Sequence, residues 1–410
     1  MRLSPKRHTR MLKTVAYVIR SFPEPSETFI AEEAASLIQA GIQPCIIHLR
    51  DGNATVVHPA AQTLLQKAPR LLVPAASAFS TIKNLCRWMT VAPIRTLRTL
   101  GQALRHPKRW CYFQALGPAW WSRQQGVQFL HAHFADVNFQ YAACISAWSG
   151  IPFGVTTHGY DLREDPLGHT GASELYRQAD AVVTISEYNR RHMVQRYDLP
   201  EARISVVHCG IDLERFSFLA RSAPLAAAPL RLLNVGRLAP EKGQDLLLYA
   251  LARLRQQGLQ LHLDIVGGGD LEQALKTLAA ELDLADCVSF HGVQPEQVVR
   301  QLHQRADVFV LPSRAEGLPV ACIEAMAMGT VSIASRITGV PELIEHGVSG
   351  LLVEAGDAVA LAEAIAALQA DPAMAQRPRL SGRATVLAGF DRAKCTQQLI
   401  GIWNQQTSSH

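Results

Sequence analysis

Two glutamates on either side of a short turn could bind a phosphate and a sugar. Glu316 precedes the turn Gly317-Leu318-Pro319, and Glu324 lies one or two turns into the helix predicted to follow it. The N-terminal end of a helix offers free N–H groups and a positive dipole end, which suit a phosphate. Carboxylates accept hydrogen bonds from sugar or ribose hydroxyls. The same spacing also occurs by chance between surface carboxylates of a helix, so the pair needs support from other residues.

A loop after a predicted strand adds two cations. Arg237 and Lys242 stand five positions apart between Gly236 and Gly243, just before a predicted helix. A guanidinium and an ammonium group together can neutralise a diphosphate. The alternative is a solvated turn with one ion pair, for example between Glu241 and Lys242.

Three histidines at or near strand ends are further candidates. His158 follows a predicted strand, where its ring could hydrogen-bond a sugar hydroxyl or stabilise a charge, although a lone histidine is more often structural. His131 and His133 share one face of another predicted strand, the arrangement of a metal-ligand pair. The sequence offers no third cluster of ligands beside them, so we predict no metal site.

These candidates fall among strands that alternate with helices along the whole chain. The alternation predicts an α/β fold with parallel sheets wound on both faces. Strands are predicted over residues 14–19, 45–49, 128–132, 153–157, 181–185, 204–207, 231–235, 261–266, 288–290, 308–311 and 331–334. Helices are predicted over residues 26–39, 138–148, 244–257, 271–282, 295–305 and 320–328.

An Ala- and Pro-rich segment at residues 218–229 is the best linker in the chain. It predicts two α/β domains, residues 1–218 and 219–383. Two such domains usually bind a ligand in the cleft where the carboxyl ends of their strands meet.

Composition limits the class of protein. The 410 residues are 48% hydrophobic and 18% charged, which excludes disordered and fibrous proteins. The eight cysteines stand singly, with no Cys-x-x-Cys pair and no signal peptide before them, so we expect reduced thiols and a cytosolic protein. No apolar run is long enough to predict a transmembrane helix.

The net charge of +5 is unevenly distributed. Residues 1–218 hold 24 Lys and Arg against 16 Asp and Glu, whereas the remainder holds 16 against 19, and no acidic residue lies between Asp51 and Asp136.

Over residues 83–123 the cations alternate with Trp88, Trp110, Tyr112, Phe113, Trp120 and Trp121. This pattern is typical of elements that lie in a bilayer interface and predicts attachment to an anionic membrane surface. The alternative is a solvated basic face with its aromatic residues in the core. No nucleic-acid recognition motif accompanies the charge, so we expect no nucleic acid partner.

Five short motifs occur in a fixed order: Val235-Gly236-Arg237 to Lys242-Gly243, Val266-Gly267-Gly268-Gly269, His291-Gly292-Val293, Pro312-Ser313, and Glu316 to Glu324. Together they resemble the retaining family-4 glycosyltransferases, over essentially the whole chain. The resemblance implies the GT-B fold, two Rossmann-like α/β domains facing across a cleft. Residues 21–30, 131–134 and 158–161 resemble the bacterial subset that builds exopolysaccharides of the colanic-acid type.

The resemblance also implies roles for single residues. Arg237 and Lys242 would hold the donor diphosphate and stabilise the departing nucleoside diphosphate. Glu324 would bind the ribose, Glu316 the transferred sugar, and His158 would reach the reacting sugar from the acceptor domain. The catalytic set is therefore His158, Arg237, Lys242 and Glu316. The other donor-binding residues would be Gly236, Gly292, Val293, Gly317, Leu318 and Pro319, with the base beside Gly292 and Val293.

Members of this family generally work without a divalent metal, and the sequence contains no Asp-x-Asp. We therefore expect no cofactor, a UDP- or GDP-sugar as donor, and a saccharide or lipid-linked saccharide as acceptor. The turn at residues 20–24 lacks the glycines of many relatives, so Ser21, Glu27 and Thr28 are expected to shape the acceptor site instead. In relatives a C-terminal helix, here about residues 384–405, packs back onto the first domain. The expected location is the cytoplasm, at the inner face of the plasma membrane.

Other functions remain open at this point. A nucleotide-sugar epimerase or a sucrose-type synthase would have the same fold. The three glycines at 267–269 suggest a dinucleotide-dependent oxidoreductase, although the third glycine of that fingerprint is replaced by Glu272. A non-catalytic sugar-binding protein is the remaining alternative. Whether Glu316 forms a covalent adduct or only braces the sugar is also open, and we favour bracing.

Overall fold

Thirteen strands form two parallel sheets within the residues that the computed structural model describes, which are 12–24, 27–53, 57–73, 77–219 and 229–407. The chain divides into two compact units. Unit 1 holds the chain up to residue 185, residues 190–207 and the chain from residue 396 onward. Unit 2 holds residues 186–189 and 208–395.

The sheet of unit 1 has seven strands in the order β3-β2-β1-β4-β5-β6-β7. They are β1 (Thr14–Phe22), β2 (Gln43–Asp51), β3 (Arg70–Leu72), β4 (Phe129–His133), β5 (Phe153–Thr157), β6 (Ala181–Thr184) and β7 (Ile204–Val206). Every residue of β4, β5 and β6 is buried, as expected for parallel strands with helices on both faces. The strand order reverses between β1 and β4, so the carboxyl ends of those two strands border the switch point where such sheets bind ligands.

Nine helices accompany this sheet in the described part of the chain: α1 (Thr28–Gln39), α2 (Pro59–Lys67), α3 (Ala78–Val91), α4 (Pro93–Arg105), α5 (Arg109–Gln124), α6 (Val137–Ser149), α7 (Tyr160–Glu164), α8 (His169–Gln178) and α9 (Glu187–Tyr197). Ser26, the predicted first residue of α1, lies outside the described residues. Glu27 occupies the N-cap position of α1 and makes no capping hydrogen bond with its side chain.

The sheet of unit 2 has six strands in the order β10-β9-β8-β11-β12-β13, with its switch point between β8 and β11. The strands are β8 (Leu230–Val235), β9 (Leu261–Val266), β10 (Val288–Phe290), β11 (Val308–Leu311), β12 (Val331–Ser335) and β13 (Leu351–Val353). The helices are α10 (Gln244–Gln256), α11 (Glu272–Glu281), α12 (Glu296–Arg305), α13 (Val320–Ala327), α14 (Val340–Leu343), α15 (Ala358–Ala370) and α16 (Gln376–Gly389), and α17 (Arg392–Thr407) follows them.

The predicted helix over residues 384–405 is in fact two helices. Residues 390–392 pair with Ile211, which donates to the carbonyl of Phe390 (2.9 Å) and accepts from the N–H of Arg392 (3.0 Å). These two bonds form an isolated parallel bridge between Ile211 and Asp391, which lies between the end of α16 at Gly389 and the start of α17 at Arg392. From residue 396 onward α17 belongs to unit 1, where Trp403 stacks on Phe129 (ring centroids 5.8 Å apart).

Unit 2 also begins earlier than the predicted boundary at residue 218. Residues 208–218 belong to it because Ile211 pairs with the segment after α16 and the Arg383 guanidinium donates to the carbonyl of Phe216 (3.1 Å). Residues 220–228 of the predicted linker lie outside the described residues.

Five of the six aromatic residues of the basic segment lie in the core of unit 1 or pack against it, as in the alternative given above. Trp88 is fully buried, donates from its indole N–H to the carbonyl of Leu116 (3.3 Å) and packs edge-on against Trp120. Of the six aromatic residues named above, Trp110 alone is exposed, at 52%. The large apolar side chains that α3 and α4 expose to solvent include Phe79, Ile82, Ile94, Leu97 and Leu104.

Among the described residues, no single helix has both the length and the apolar character needed to cross a bilayer. In that part of the chain, α15 and residues 372–389 are long and apolar enough only when they are taken together, and a bend of 106° separates them.

Candidate active site

The predicted donor-binding residues of unit 2 lie in loops at the carboxyl edge of its sheet. Residues 236–243 follow β8, residues 267–269 follow β9, residues 292–293 follow β10, and residues 312–319 follow β11. All six strands are parallel, so these loops emerge on the same side of the sheet.

An ion pair joins the loops after β8 and β11. Lys242 Nζ donates to Glu316 Oε1 (2.7 Å), and Ser313 Oγ donates to the same oxygen (2.7 Å). The Glu316 side chain is only 6% exposed, and Thr338 holds its backbone by donating to the Glu316 carbonyl (2.8 Å). Strand pairing of β8 with β11 brings these residues together although 74 positions separate Lys242 from Glu316.

Arg237 pairs with Glu241 instead of remaining alone in the loop. The alternative ion pair of Glu241 with Lys242 is therefore wrong, because the loop after β11 supplies the more deeply buried carboxylate of Glu316 to Lys242. The Arg237 side chain is 59% exposed. Its carbonyl accepts a hydrogen bond from Gln244 Nε2 (3.0 Å), which fixes the backbone of the loop and leaves the guanidinium in solvent.

A second arginine, Arg314, connects the loop after β8 to the loop after β11 and was not predicted from the sequence. Arg314 forms a two-bond pair with Asp245 (2.8 and 2.7 Å) and donates from its backbone N–H to the carbonyl of Glu241 (2.7 Å). The hydrogen bonds from Arg314 lower the pKa of the Asp245 carboxyl below its ordinary value. The Asp245–Arg314 pair therefore holds the two cation-bearing loops in a fixed relation.

The glycines after β9 allow close contact between neighbouring loops. Gly267 has φ +136°, and a Cβ there would lie 1.9 Å from the carbonyl oxygen of Gly236. Gly268 accepts from the N–H of Leu238 (2.9 Å) on the same loop. Val293, in the next loop, is 54% exposed and lies close to Gly268. The result is a backbone surface bordered by one exposed apolar side chain.

Helix α13 begins directly after this group of loops. Pro319 occupies its N-cap position, and in the described part of the chain no acceptor is found for the backbone N–H groups of Gly317 and Leu318. Glu324 lies near the middle of α13 and is partly buried. Unit 2 thus places two carboxylates, two cations and free backbone donors at one edge of its sheet.

His158 of unit 1 lies directly after β5 and contacts a second histidine. Its Nε2 is 2.9 Å from Nδ1 of His133, the last residue of β4, and the two rings stack. Phe29 and Phe134 pack against the His158 ring, with centroids 4.8 and 4.7 Å away. Burial, with a smaller contribution from His133, lowers the pKa of His158 well below its ordinary value, so the ring is neutral at neutral pH.

Asp161 holds the backbone around His158. Its carboxylate accepts from the N–H groups of His158 (2.9 Å), Gly159 (3.0 Å) and Ala135 (2.8 Å). Burial raises the pKa of Asp161, and the three backbone donors counteract that rise. These bonds join the segments after β4 and β5 into one rigid turn.

The residues expected on the acceptor side line an open pocket at the ends of β1 and β2. Ser21 and Glu27 border this pocket of about 590 Å³, together with Arg20, Glu24, Arg50, Asp51, Gly52 and Asn53. Thr28, the first residue of α1, is partly buried beside it. Burial first, then the carboxylates of Glu24 and Asp136, raise the pKa of Glu27 to about 7. A carboxyl that changes charge near neutral pH can either donate to or accept from a sugar hydroxyl.

Comparison with known proteins identifies the family. Residues 26–215 match the family described as glycosyltransferase family 4, and residues 219–385 match the family described as glycosyl transferases group 1. The colanic acid biosynthesis glycosyltransferase named WcaL from Escherichia coli K12 is 30% identical over 383 residues, covering 86% of this chain and 90% of that protein. The chain belongs to the family-4 glycosyltransferases. The amylovoran biosynthesis glycosyltransferase AmsK from Erwinia amylovora is 38% identical over 56% of this chain and 57% of that protein.

A solved structure confirms the fold of this glycosyltransferase. Anabaena Alr3699/HepE, crystallised with UDP, covers 95% of this chain and 98% of its own at a TM-score of 0.73 and 20% identity. The predicted α/β architecture with two parallel sheets is therefore confirmed, as is the predicted membership in a glycosyltransferase family linked to exopolysaccharide biosynthesis. The family favours a glycosyltransferase over the dinucleotide-dependent oxidoreductase considered above.

Two buried histidines of the glycosyltransferase lie beside a carboxylate. Ligand atoms of Glu33, His131 and His133 come within 4.8 Å of one another. His131 Nε2 is 2.9 Å from Thr156 Oγ1, and both nitrogens of His133 are in hydrogen bonds. The buried Nδ1 of His131 has no hydrogen-bond partner among the described residues. Burial lowers the pKa of His131 well below its ordinary value. The absence of a metal remains a prediction.

Five residues of these hydrogen-bond networks were not predicted from the sequence: Tyr17, Glu33, Asp161, Asp245 and Arg314. Tyr17 and Glu33 reach the His133 ring from β1 and α1, about a hundred residues away in sequence, so no local motif indicates them. Asp161 belongs to the quoted motif 158–161 and could have been selected, because a buried carboxylate beside a strand end commonly binds backbone N–H groups.

Proposed function

We propose that this glycosyltransferase moves a hexose from a UDP- or GDP-sugar to a saccharide or lipid-linked saccharide acceptor, with retention of anomeric configuration and without a divalent metal. The observation that carries the proposal is the Lys242–Glu316 pair, at 2.7 Å, beside the free backbone donors at the start of α13. The names of WcaL and AmsK support a role in exopolysaccharide synthesis.

Lys242 is suited to hold a phosphate while it keeps its carboxylate partner. An ammonium group has three N–H donors, and the described contacts of Lys242 use one of them for Glu316. The other two are available for oxygens of a diphosphate. Glu316 therefore orients the ammonium group.

Arg237 can exchange its partner at small cost. Its ion pair with Glu241 is solvent-exposed on the arginine side, and such pairs contribute about 0 to 1 kcal/mol. A hydrogen bond to a charged group contributes about 1.5 to 3 kcal/mol. A donor diphosphate therefore competes successfully with Glu241 for the guanidinium, and the two cations supply the charge that a metal would otherwise provide.

The contacts of Glu316 favour same-face attack over a covalent intermediate. One of its carboxylate oxygens already accepts from both Lys242 and Ser313, which lowers its nucleophilicity and fixes its position. Such a carboxylate is suited to brace sugar hydroxyls. Glu324 would bind the ribose, and the exposed Val293 would contact the base.

Thermal unfolding with UDP and GDP, for the wild type and Glu324→Ala, tests the donor site. A ligand at 100 times its Kd stabilises the protein by about 2.7 kcal/mol. We expect one nucleotide to raise the Tm of the wild type and not of Glu324→Ala. The matched control, Glu363→Ala on the exposed face of α15, should respond like the wild type.

Transfer assays test the chemistry. Product from the matching nucleotide sugar should form in the presence of EDTA, and NMR should show that the anomeric configuration of the donor is retained. An inverted product, or activity that returns only with added metal, would overturn that part of the proposal. Product formed without any saccharide or lipid-linked acceptor would favour the epimerase or synthase alternative.

We further propose that α3 and α4 attach the enzyme to an anionic phospholipid surface. Helix α4 buries Thr96, Thr99 and Ala103 and exposes Ile94 and Leu97, at 84% and 59%, on its outer face. Exposed cations lie along the same helix: Arg95, Arg98 and Arg105. A helix whose outward face carries apolar side chains between cations matches the chemistry of a membrane interface. Each Lys or Arg near an anionic surface adds about 1 kcal/mol to the free energy of binding.

Vesicle sedimentation tests this surface. Wild-type protein should bind phosphatidylglycerol-containing vesicles at low salt and dissociate at high salt, and Ile94→Asp/Leu97→Asp should bind at least ten times more weakly, about 1.4 kcal/mol. Leu380→Asp, at a 64% exposed position of α16, is the matched control and should bind normally. Binding that is unaffected by the double substitution would overturn the assignment to α4.

A further inference from the structure

A chain of four polar side chains in unit 1 ends at His158. Tyr17 Oη donates to Glu33 Oε1 (2.8 Å), and His133 Nε2 lies 3.2 Å from the same oxygen. The other nitrogen of His133, Nδ1, lies 2.9 Å from Nε2 of His158. Four different elements supply these residues: β1, α1, the end of β4 and the segment after β5.

Packing holds the chain in one arrangement. The Tyr17 ring stacks on His133, with centroids 5.5 Å apart and an 11° angle between planes. His133 stacks in turn on His158 at 5.1 Å and 25°. Tyr17 and His133 are fully buried and His158 is buried as well, so water does not compete for the contact between the two histidines. The Glu33 side chain is 25% exposed.

The direction of each hydrogen bond follows from what each group can do. A carboxylate only accepts, so His133 faces Glu33 with a protonated Nε2. A neutral His133 then has no proton on Nδ1 and can only accept there. His158 must therefore donate from its Nε2, which leaves its Nδ1 with a free lone pair. In the described part of the chain no group donates to that Nδ1.

We propose that Glu33, acting through His133, fixes His158 as the Nε2–H tautomer, so that Nδ1 of His158 accepts a hydrogen bond from a substrate hydroxyl. This inference rests on the proposed transferase function. Glu33 and His133 are positioning residues, and His158 is the group that contacts substrate. The opposite tautomer would present an N–H to the substrate and would select an acceptor oxygen instead of a hydroxyl proton.

The experiment measures the tautomer and the transfer rate separately. Long-range ¹H–¹⁵N correlation of the intact, ¹⁵N-histidine-labelled protein reports which nitrogen carries the proton, and His158→Gln assigns the signal. We expect the Nε2–H pattern for His158 in the wild type and a mixture in Glu33→Ala. Transfer should fall in kcat by about 10- to 100-fold in Glu33→Ala, the effect of losing one hydrogen bond to substrate. Nucleotide binding, which unit 2 provides, should be unchanged.

Two further variants separate positioning from general loss of structure. Glu33→Gln keeps an acceptor oxygen in place and should restore the tautomer and most of the rate. Gln39→Ala, at an exposed position at the end of the same helix, is the control and should change neither readout. An Nδ1–H tautomer or a doubly protonated His133 in the wild type, or an unchanged tautomer in Glu33→Ala, would overturn the inference. Failure of the wild type to transfer any sugar would instead count against the proposed function, since the tautomer is measured without substrate.

Discussion

Replacing Glu27 by glutamine should make unit 1 more stable at alkaline pH and leave its stability at acid pH unchanged. The Glu27 carboxyl has a pKa of about 7 in the folded protein, because burial and the carboxylates of Glu24 and Asp136 outweigh the effect of Arg20. The ordinary value is 4.5. Between these two values the unfolded chain has lost a proton that the folded chain retains, so the free energy of unfolding decreases as the pH rises.

The size of the effect follows from the two pKa values. Each unit of difference corresponds to about 1.4 kcal/mol, so the gap between 4.5 and about 7 amounts to about 3 kcal/mol once the pH exceeds both values. Glutamine is neutral at every pH and avoids this loss. Burial raises the pKa of Asp136 to about 6, so this residue also makes the free energy of unfolding depend on pH. The substitution of Glu27 leaves that contribution unchanged. The difference between variant and wild type therefore isolates Glu27.

Tryptophan fluorescence makes the measurement specific to unit 1. All six tryptophans of the chain lie in that unit. Urea titrations from about pH 4 to about pH 8 should give superimposed midpoints at the acid end and a higher midpoint for Glu27→Gln at the alkaline end. Glu174→Gln, on the exposed face of α8, is the control and should follow the wild type throughout. A constant offset at all pH values, or a less stable variant at pH 8, would refute the reasoning. If Glu27 also contacts the acceptor, transfer should fall while nucleotide binding is retained.

Three further substitutions test the framework of the site. Lys242→Met leaves the buried Glu316 carboxylate without its cation and should lower the stability of unit 2 by about 2 to 4 kcal/mol, as measured by hydrogen exchange. The double variant Lys242→Met/Glu316→Gln should recover most of this stability but no transfer activity. Gly267→Ala, whose Cβ would meet a carbonyl oxygen at 1.9 Å, should abolish the nucleotide-induced rise in Tm, whereas Gly258→Ala, with open space around it, should keep that rise. Asp161→Asn replaces one oxygen that accepts from a backbone N–H with an amide group that donates. The variant should lower the stability of unit 1 by about 2 to 3 kcal/mol, as measured by urea titration. An unchanged stability would mean that the turn after β5 does not depend on that carboxylate.

The sequence by itself determined the family and eleven of the thirteen described strands, while the three-residue strands β3 and β13 were not predicted. The strand β11 was predicted at its exact bounds, and β8 within one residue, because short runs of buried apolar side chains between turns are a local property. The donor motifs were also legible, since each is a short segment of glycines and charged residues at a strand end. Their order along the chain, confirmed by comparison with known proteins, was sufficient to identify a glycosyltransferase.

Only the tertiary structure decided which of these residues meet. Lys242 pairs with Glu316 and not with its neighbour Glu241, because the pairing of β8 with β11 brings together loops 74 residues apart. The sequence also did not predict that the apolar face of α4 points outward, because the sequence pattern is the same whichever face of the helix the rest of unit 1 covers. The hydrogen bond between Glu33 and His133 spans 100 residues. Such contacts depend on how distant segments pack together, and local periodicity and spacing carry no record of that packing.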